Sequence, residues 1–249
     1  MQNKVLLVTG GSQGIGAAVV KSAALQGWRV AFSYRSSTEA ADALTAEVAR
    51  SGGQALGFSA DAASELATSA LFAWLDQTFG RLDAVVTNAG ITGPTASLET
   101  ISSRILDDVL GINVRGVFLT VRESIKRMAT DHGGQGGSIT NLSSVAATLG
   151  GPNDWVHYAA SKGAIDSFTI GAAKELAPRG IRVNAVRPGL IDTEIHAKAG
   201  LGDRLAKLGP SVPMGRIGTA QEVADAILWL MSDQASYVTG AIVPVSGGR

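Results

Sequence analysis

The stretch Lys4-Val-Leu-Leu-Val-Thr-Gly-Gly-Ser-Gln-Gly-Ile-Gly16 decides the architecture. Lys4 to Val8 is an apolar run of strand length, and it stops abruptly at a cluster of glycines. An apolar helical pattern then runs from about Ile15 to Gln26 and closes at Gly27. Strand, glycine turn and helix in that order form a dinucleotide-binding opening. The glycines let the backbone approach a pyrophosphate, which rests on the helix N-terminus. The spacing is Gly10-x3-Gly14-x-Gly16, a variant of the common Gly-x-Gly-x2-Gly pattern.

A second strand follows in Trp28 to Ser37. Chains that recognise the ribose 2′-hydroxyl of NAD carry an Asp or Glu at this strand end. Tyr34 stands there instead, followed by Arg35, Ser36 and Ser37. A guanidinium with two hydroxyls suits a 2′-phosphate, so the sequence predicts NADP(H), with NAD(H) the lesser choice.

The same alternation continues. Thr38 to Ser51 reads as a helix, Ala55 to Ala60 as a strand with Asp61 at its end, and Ser64 as the cap of a helix ending at Gly80. Leu82 to Thr87 is a fourth strand leading into Asn88-Ala89-Gly90. One long helix is expected over Ile101 to Met128, with Asn113 inside it at an apolar position. That amide needs partners, and core and functional roles stand level. After the glycine turn at 133–137, Ser138 to Leu142 is the fifth strand and Ser143-Ser144 follow at its end. Ile181 to Val186 is the sixth. Residues Leu190 to Met214 lack periodicity, carry His196, Lys198, Asp203 and Arg204, and read as a lid or binding loop. Thr219 caps a last helix with Val223, Ile227, Leu230 and Met231 inward, and Tyr237 to Val245 is the last strand. The whole is an α/β fold with one doubly wound parallel sheet of about seven strands, over residues 1–249 as a single domain.

Tyr158 and Lys162 are four apart on a helix-compatible, small-residue stretch, hence on one face. A cation beside a phenol favours the phenolate. The phenol ordinarily titrates near ~10, so a base for neutral pH needs a shift of roughly 3 units, about 4 kcal/mol.

Composition narrows the function classes. Lys+Arg and Asp+Glu both number 21, so no global field draws nucleic acid or an anionic membrane. The absence of cysteine excludes disulfides and thiol chemistry, and His132, His157 and His196 lack clustered metal-ligand spacing, so no metal is expected. No run has signal-peptide or membrane-spanning character, and a soluble cytoplasmic protein is expected.

Assembled in order, Thr9-Gly-Gly-Ser-Gln-Gly-Ile-Gly16, Asn88-Ala-Gly90, Asn113, Ser144, Tyr158-x3-Lys162 and Pro188-Gly189 resemble the short-chain dehydrogenase/reductase family over essentially the whole chain. The resemblance implies a Rossmann domain with Tyr158 as general acid/base. Lys162 would lower the pKa of Tyr158 and hold the nicotinamide ribose. Ser144 would bind the substrate oxygen, and Asn113 would order a water in a relay to Lys162. Gly10, Gly14 and Gly16 would cradle the pyrophosphate, with Ser12, Gln13 and Ile15 of the same turn among the cofactor contacts. Asp61, with Ala62 beside it, would hold the adenine, and Asn88, Ala89 and Gly90 would line the adenosine side. Pro188, Gly189 and Thr193 would seat the carboxamide, with Ile191 nearby.

Two departures stand out. Thr87-Asn88 replaces the family's usual double asparagine, and the loop from Ser144 to Tyr158 is one residue longer than in many members, which leaves Ser143 as the alternative serine. The expected activity is an NADP(H)-dependent carbonyl reductase or alcohol dehydrogenase acting on a small ketone, sugar or polyol. The alternatives are a 3-oxoacyl-[acyl-carrier-protein] reductase and a non-catalytic NADP(H)-sensing module. Asp131-His-Gly-Gly-Gln lacks the basic run that docks an acidic carrier, although Lys126, Arg127 and Arg179 lie near. A homotetramer is implied, with contacts through the Asn113 and Tyr158 helices and the last strand.

Overall fold

In a computed structural model, residues 4–193 and 208–249 are described. Strands β1 (Val5–Thr9), β2 (Arg29–Tyr34), β3 (Gln54–Ser59), β4 (Ala84–Thr87), β5 (Gly137–Leu142), β6 (Ile181–Pro188) and β9 (Ile242–Val245) form one sheet in the order β3-β2-β1-β4-β5-β6-β9. Every neighbouring pair is parallel. The two-residue strands β7 (Ile191–Asp192) and β8 (Gly218–Thr219) pair separately.

Helices α1 (Gly14–Leu25), α2 (Thr38–Arg50) and α8 (Ala220–Met231) cover one face. Helices α3 (Glu65–Phe79), α5 (Gly116–Met128) and α7 (Val156–Leu176) cover the other. β1 shows why its sequence is continuously apolar: Leu6 and Val8 enter one core while Val5 and Leu7 enter the other. Strand order reverses between β1 and β4, and the crevice beyond their carboxyl ends is where such sheets bind ligands.

The predicted caps form. Ser64 Oγ accepts from the Ala67 N–H, and Thr219 with Glu222 makes a capping box. The expected helix over Ile101 to Met128 is instead three segments: α4 (Ser103–Leu110), a π turn (Gly111–Arg115) and α5. A wider turn shifts the helical phase, and Asn113 lies within it, 1% exposed. The last strand is also shorter than expected. Tyr237 is fully exposed, and Arg182 and Asn184 side chains hold the Val238 carbonyl in a turn that ends at left-handed Gly240. The short helix α6 (Ala146–Leu149) lies in the small-residue loop and has no distinct signal in the sequence. His196, Lys198, Asp203 and Arg204 of the expected lid lie outside the described residues.

A buried hydrogen-bond chain ties β4, β5 and α7 beneath the crevice. Thr87 Oγ1 donates to Asn141 Oδ1 (2.7 Å), Asn141 Nδ2 donates to Thr169 Oγ1 (2.9 Å), and Thr169 donates to the Ile165 carbonyl. Thr87, the first of the two positions where the resemblance expects asparagine, starts this chain. Asn141→Ala leaves both hydroxyls short of a partner and is expected to cost about 2–3 kcal/mol. Thr140→Val removes a buried hydroxyl with no partner among the described residues, and is expected to be neutral or stabilising. Urea denaturation of both variants checks the contrast.

Candidate active site

Two adjoining cavities occupy the crevice. The larger is a trough of about 690 Å³ and the smaller a pocket of about 350 Å³; Ile15, Asn88, Gly90, Thr92 and Thr193 line both.

The glycine turn forms one wall of the trough. Gly10 is left-handed (φ 63°), and a Cβ there would lie 2.9 Å from Ala89 Cα. At Gly16 a Cβ would lie 2.5 Å from the Gly10 carbonyl oxygen and 2.6 Å from Asn88 Nδ2. Gly16 is buried and lines neither cavity, and its missing Cβ permits the close approach of α1 to the turn. Asn88 staples the turns after β1 and β4 together: its Nδ2 donates to the carbonyls of Thr9 (3.0 Å) and Gly10 (2.8 Å). The Ala89 N–H adds a bond to Thr9 Oγ1.

Gly10, Ser12, Gln13, Gly14, Ile15, Asn88, Ala89 and Gly90 line the trough at this end. Arg35, Ser36, Asp61 and Ala62 line its other part, together with Tyr34, Ser37 and Ile112. One Asp61 oxygen already accepts the Ala63 N–H (2.9 Å).

The smaller pocket holds Ser144, Tyr158 and Lys162, with Pro188, Gly189, Ile191 and Thr193 opposite. Tyr158 and Lys162 lie one turn apart on α7, and Lys162 Nζ sits 5.7 Å from the Tyr158 ring centroid. The ammonium donates to the Leu142 carbonyl at the end of β5 (2.6 Å). The Ser144 side chain stands beside the Tyr158 hydroxyl and favours its phenolate, and Ser144 Oγ accepts the Ala146 N–H. Ser143 Oγ turns instead to the Lys162 backbone carbonyl (3.3 Å). Of the two serines, Ser144 is the one against Tyr158.

Electrostatics here differ from the expectation that Lys162 governs Tyr158. Burial acts first and pushes the phenol above its ordinary value, while the Ser144 hydrogen bond pulls it down. Burial also pushes the Lys162 ammonium down to about 8, against the charge of Asp166.

Asn113 lines neither cavity. Its Nδ2 donates to the Ile91 carbonyl (2.8 Å) and Ser161 Oγ (3.0 Å), and its Oδ1 accepts the Ile91 N–H (2.9 Å). Both amide hydrogens are committed to protein partners, which ties the side chain to the Ile91 backbone and to Ser161 on α7.

Several lining residues escape a reading of the sequence. Val145, Leu149, Pro152, Asp154, Trp155, Leu190 and Arg249 line the smaller pocket. The stretch between β5 and α7 reads as a small-residue loop, and only Trp155 in it signals a wall.

A family model described as enoyl-(acyl carrier protein) reductase matches residues 10–249. An oxidoreductase of Escherichia coli strain K12, YgfF, is 46% identical over 245 residues, covering 98% of this chain and 99% of the relative. A solved short-chain dehydrogenase/reductase from Serratia marcescens is 37% identical with a TM-score of 0.91, covering 99% of this chain and 98% of that one. A 3-ketoacyl-(acyl-carrier-protein) reductase from Brucella melitensis, solved with NADH, is 33% identical with a TM-score of 0.91, covering 100% and 98%.

The buried ammonium gives a prediction with a definite sign. The folded chain holds the Lys162 proton less tightly than the unfolded chain. Between about 8 and the ordinary 10.5 the unfolded state therefore carries the extra proton, and stability rises with pH. The raised phenol of Tyr158 acts oppositely only above its ordinary value of 10. Urea denaturation of parent and Lys162→Met from pH 8 to 10 is expected to show their difference moving toward the parent by about 2 kcal/mol. A pH-independent difference contradicts it.

Proposed function

The chain belongs to the short-chain dehydrogenase/reductase family, and from that premise we propose that it is an NADP(H)-dependent oxidoreductase of small carbonyls and secondary alcohols. The observation that carries this reading is the placing of Ser144, Tyr158 and Lys162 in a pocket that opens on a glycine-walled trough.

The trough's residues fit a dinucleotide. A Cβ at Gly10 or Gly16 would collide with backbone, as expected where a turn must stay close-packed for a pyrophosphate at the α1 N-terminus. Gly14, Ser12, Gln13 and Ile15 would hold the phosphates, Asp61 and Ala62 the adenine, and Pro188, Gly189, Ile191 and Thr193 the carboxamide end. Arg35, Ser36 and Ser37 would receive the 2′-phosphate, and no carboxylate stands at the end of β2 to oppose it. When bound, the cofactor supplies or accepts the hydride.

Tyr158 gives its proton to the carbonyl oxygen in reduction and takes it from the alcohol in oxidation. Ser144 holds that oxygen. Lys162, fixed to the Leu142 carbonyl 5.7 Å from the Tyr158 ring centroid, would hold the nicotinamide ribose and set a cation against the burial that raises the phenol. Asn113 holds the Ile91 backbone and α7 in register.

A pocket of about 350 Å³ with Val145, Leu149, Pro152, Trp155 and Leu190 among its walls suits a small ketone. The second reading, a 3-oxoacyl carrier-protein reductase, draws on the Brucella relative. Against it, the cations near the fifth strand are paired with the chain's own carboxylates: Lys126 with Glu123, Arg127 with Asp76 and Glu123, and Arg179 with Asp131. A sensing module has no use for the acid/base pair. The exposed Phe118 and Ile170 on α5 and α7, together with edge strand β9, suit a homotetramer, and a cytoplasmic setting suits a nicotinamide reductase.

The test is the initial rate of NADPH and NADH oxidation against simple diketones, aldoses and a 3-oxoacyl thioester. NADPH is expected to be preferred, with diketones best. Arg35→Ala is expected to raise KM for NADPH about tenfold and leave that for NADH unchanged. Preference for NADH, or an indifferent Arg35→Ala, contradicts the cofactor assignment.

A further inference from the structure

Ile91, Thr92 and Gly93 follow β4 without regular secondary structure, so no sheet ladder or helix fixes them. All three line the trough, and Thr92 also lines the smaller pocket, so at Thr92 this stretch is part of the partition where the two meet. Each of the three is held by a side chain from the helical layer. Asn113 takes both backbone groups of Ile91, His157 Nε2 lies 3.0 Å from the Thr92 carbonyl oxygen, and Trp155 Nε1 donates to the Gly93 carbonyl (3.3 Å). Two of these three holders stand at the start of α7, three residues and one residue before Tyr158.

His157 is the informative member. A carbonyl only accepts, so Nε2 carries the hydrogen and, in the neutral ring, Nδ1 is left as an acceptor. Nδ1 is buried without a hydrogen-bond partner among the described residues, in a residue 5% exposed. An apolar side chain would avoid that unsatisfied nitrogen but would take the Nε2 donor from the Thr92 carbonyl, so what the histidine adds here is its hold on Thr92. The ring also packs tightly against the partition: a Cβ at left-handed Gly93 would meet His157 Nε2 at 3.2 Å and Val109 Cγ2 at 3.0 Å.

We propose that His157 is a positioning residue for the reaction, locking the partition to the helical turn that carries Tyr158. The inference rests on the reductase reading above. The partition borders the trough on one side and the substrate pocket on the other, while Tyr158 comes from α7. The Thr92–His157 bond fixes these two parts of the site relative to each other, and small misplacements of reacting groups cost rate steeply.

The test compares the parent with His157→Leu, His157→Gln and Trp155→Phe on the best carbonyl substrate. It reads kcat, the Kd of NADPH by fluorescence, and the primary isotope effect with 4-deuterated NADPH. His157→Leu is expected to lower kcat about tenfold, keep Kd within about twofold and raise the isotope effect, because hydride transfer becomes slower relative to release. His157→Gln, which keeps an N–H donor, is expected to recover kcat to within about threefold of the parent. Trp155→Phe removes the neighbouring bond and is expected to shift kcat and the isotope effect in the same direction, which keeps the test decisive if His157→Leu does not fold. An unchanged kcat in His157→Leu, an equal loss in the Leu and Gln variants, or an unmoved isotope effect in Trp155→Phe overturns the proposal. A parent that reduces no carbonyl overturns the underlying reading with it. An active parent with insensitive variants overturns only the role of His157.

Discussion

A buried ammonium is costly unless something answers its charge and its hydrogens. Lys162 is 5% exposed, and the Leu142 carbonyl at the end of β5 takes one of its hydrogens at 2.6 Å. That bond fastens α7 to the sheet edge from which Ser143 and Ser144 emerge. Asp166, one turn further along α7, favours the charged form of Lys162, and Asp166 is in turn paired with Arg187 on β6. Below this, the Thr87–Asn141–Thr169 chain ties β4, β5 and α7 through neutral groups. The helix that carries Tyr158 is therefore held at the sheet by charged links at Lys162 and Asp166 and by a neutral one at Thr169.

The parts of the site that depend on backbone close approach were legible in the sequence. Gly10 and Gly16 are small because backbone and Asn88 fill the space a Cβ would take, and that requirement appears directly as glycine. The alternating strand and helix pattern was equally readable, because both faces of the sheet are covered and strands such as β1 become continuous apolar runs. Tyr158 and Lys162 were readable as a pair because helical periodicity puts positions four apart on one face.

What was not legible depends on phase and on partners distant in the chain. The π turn that carries Asn113 inward has no local signal, because its residues are individually helix-compatible. The last strand begins at Ile242 rather than Tyr237, because Arg182 and Asn184 claim the Val238 carbonyl for a turn. The balance at Tyr158 could not be read from its spacing to Lys162, since burial outweighs the neighbours and burial is a property of the whole layer. Likewise the hold of His157 and Trp155 on Thr92 and Gly93 joins residues more than sixty positions apart, and no short motif announces it.

In the proposed reaction Tyr158 moves the substrate's proton in the smaller pocket, beside the trough. The most direct measurement is a single turnover of bound NADPH with a reactive diketone, followed in parent and Tyr158→Phe at equal cofactor saturation. Tyr158→Phe is expected to bind NADPH like the parent and to lose on the order of 10³-fold in the rate of NADPH oxidation. A Tyr158→Phe chain that oxidises bound NADPH within about tenfold of the parent rate would contradict it.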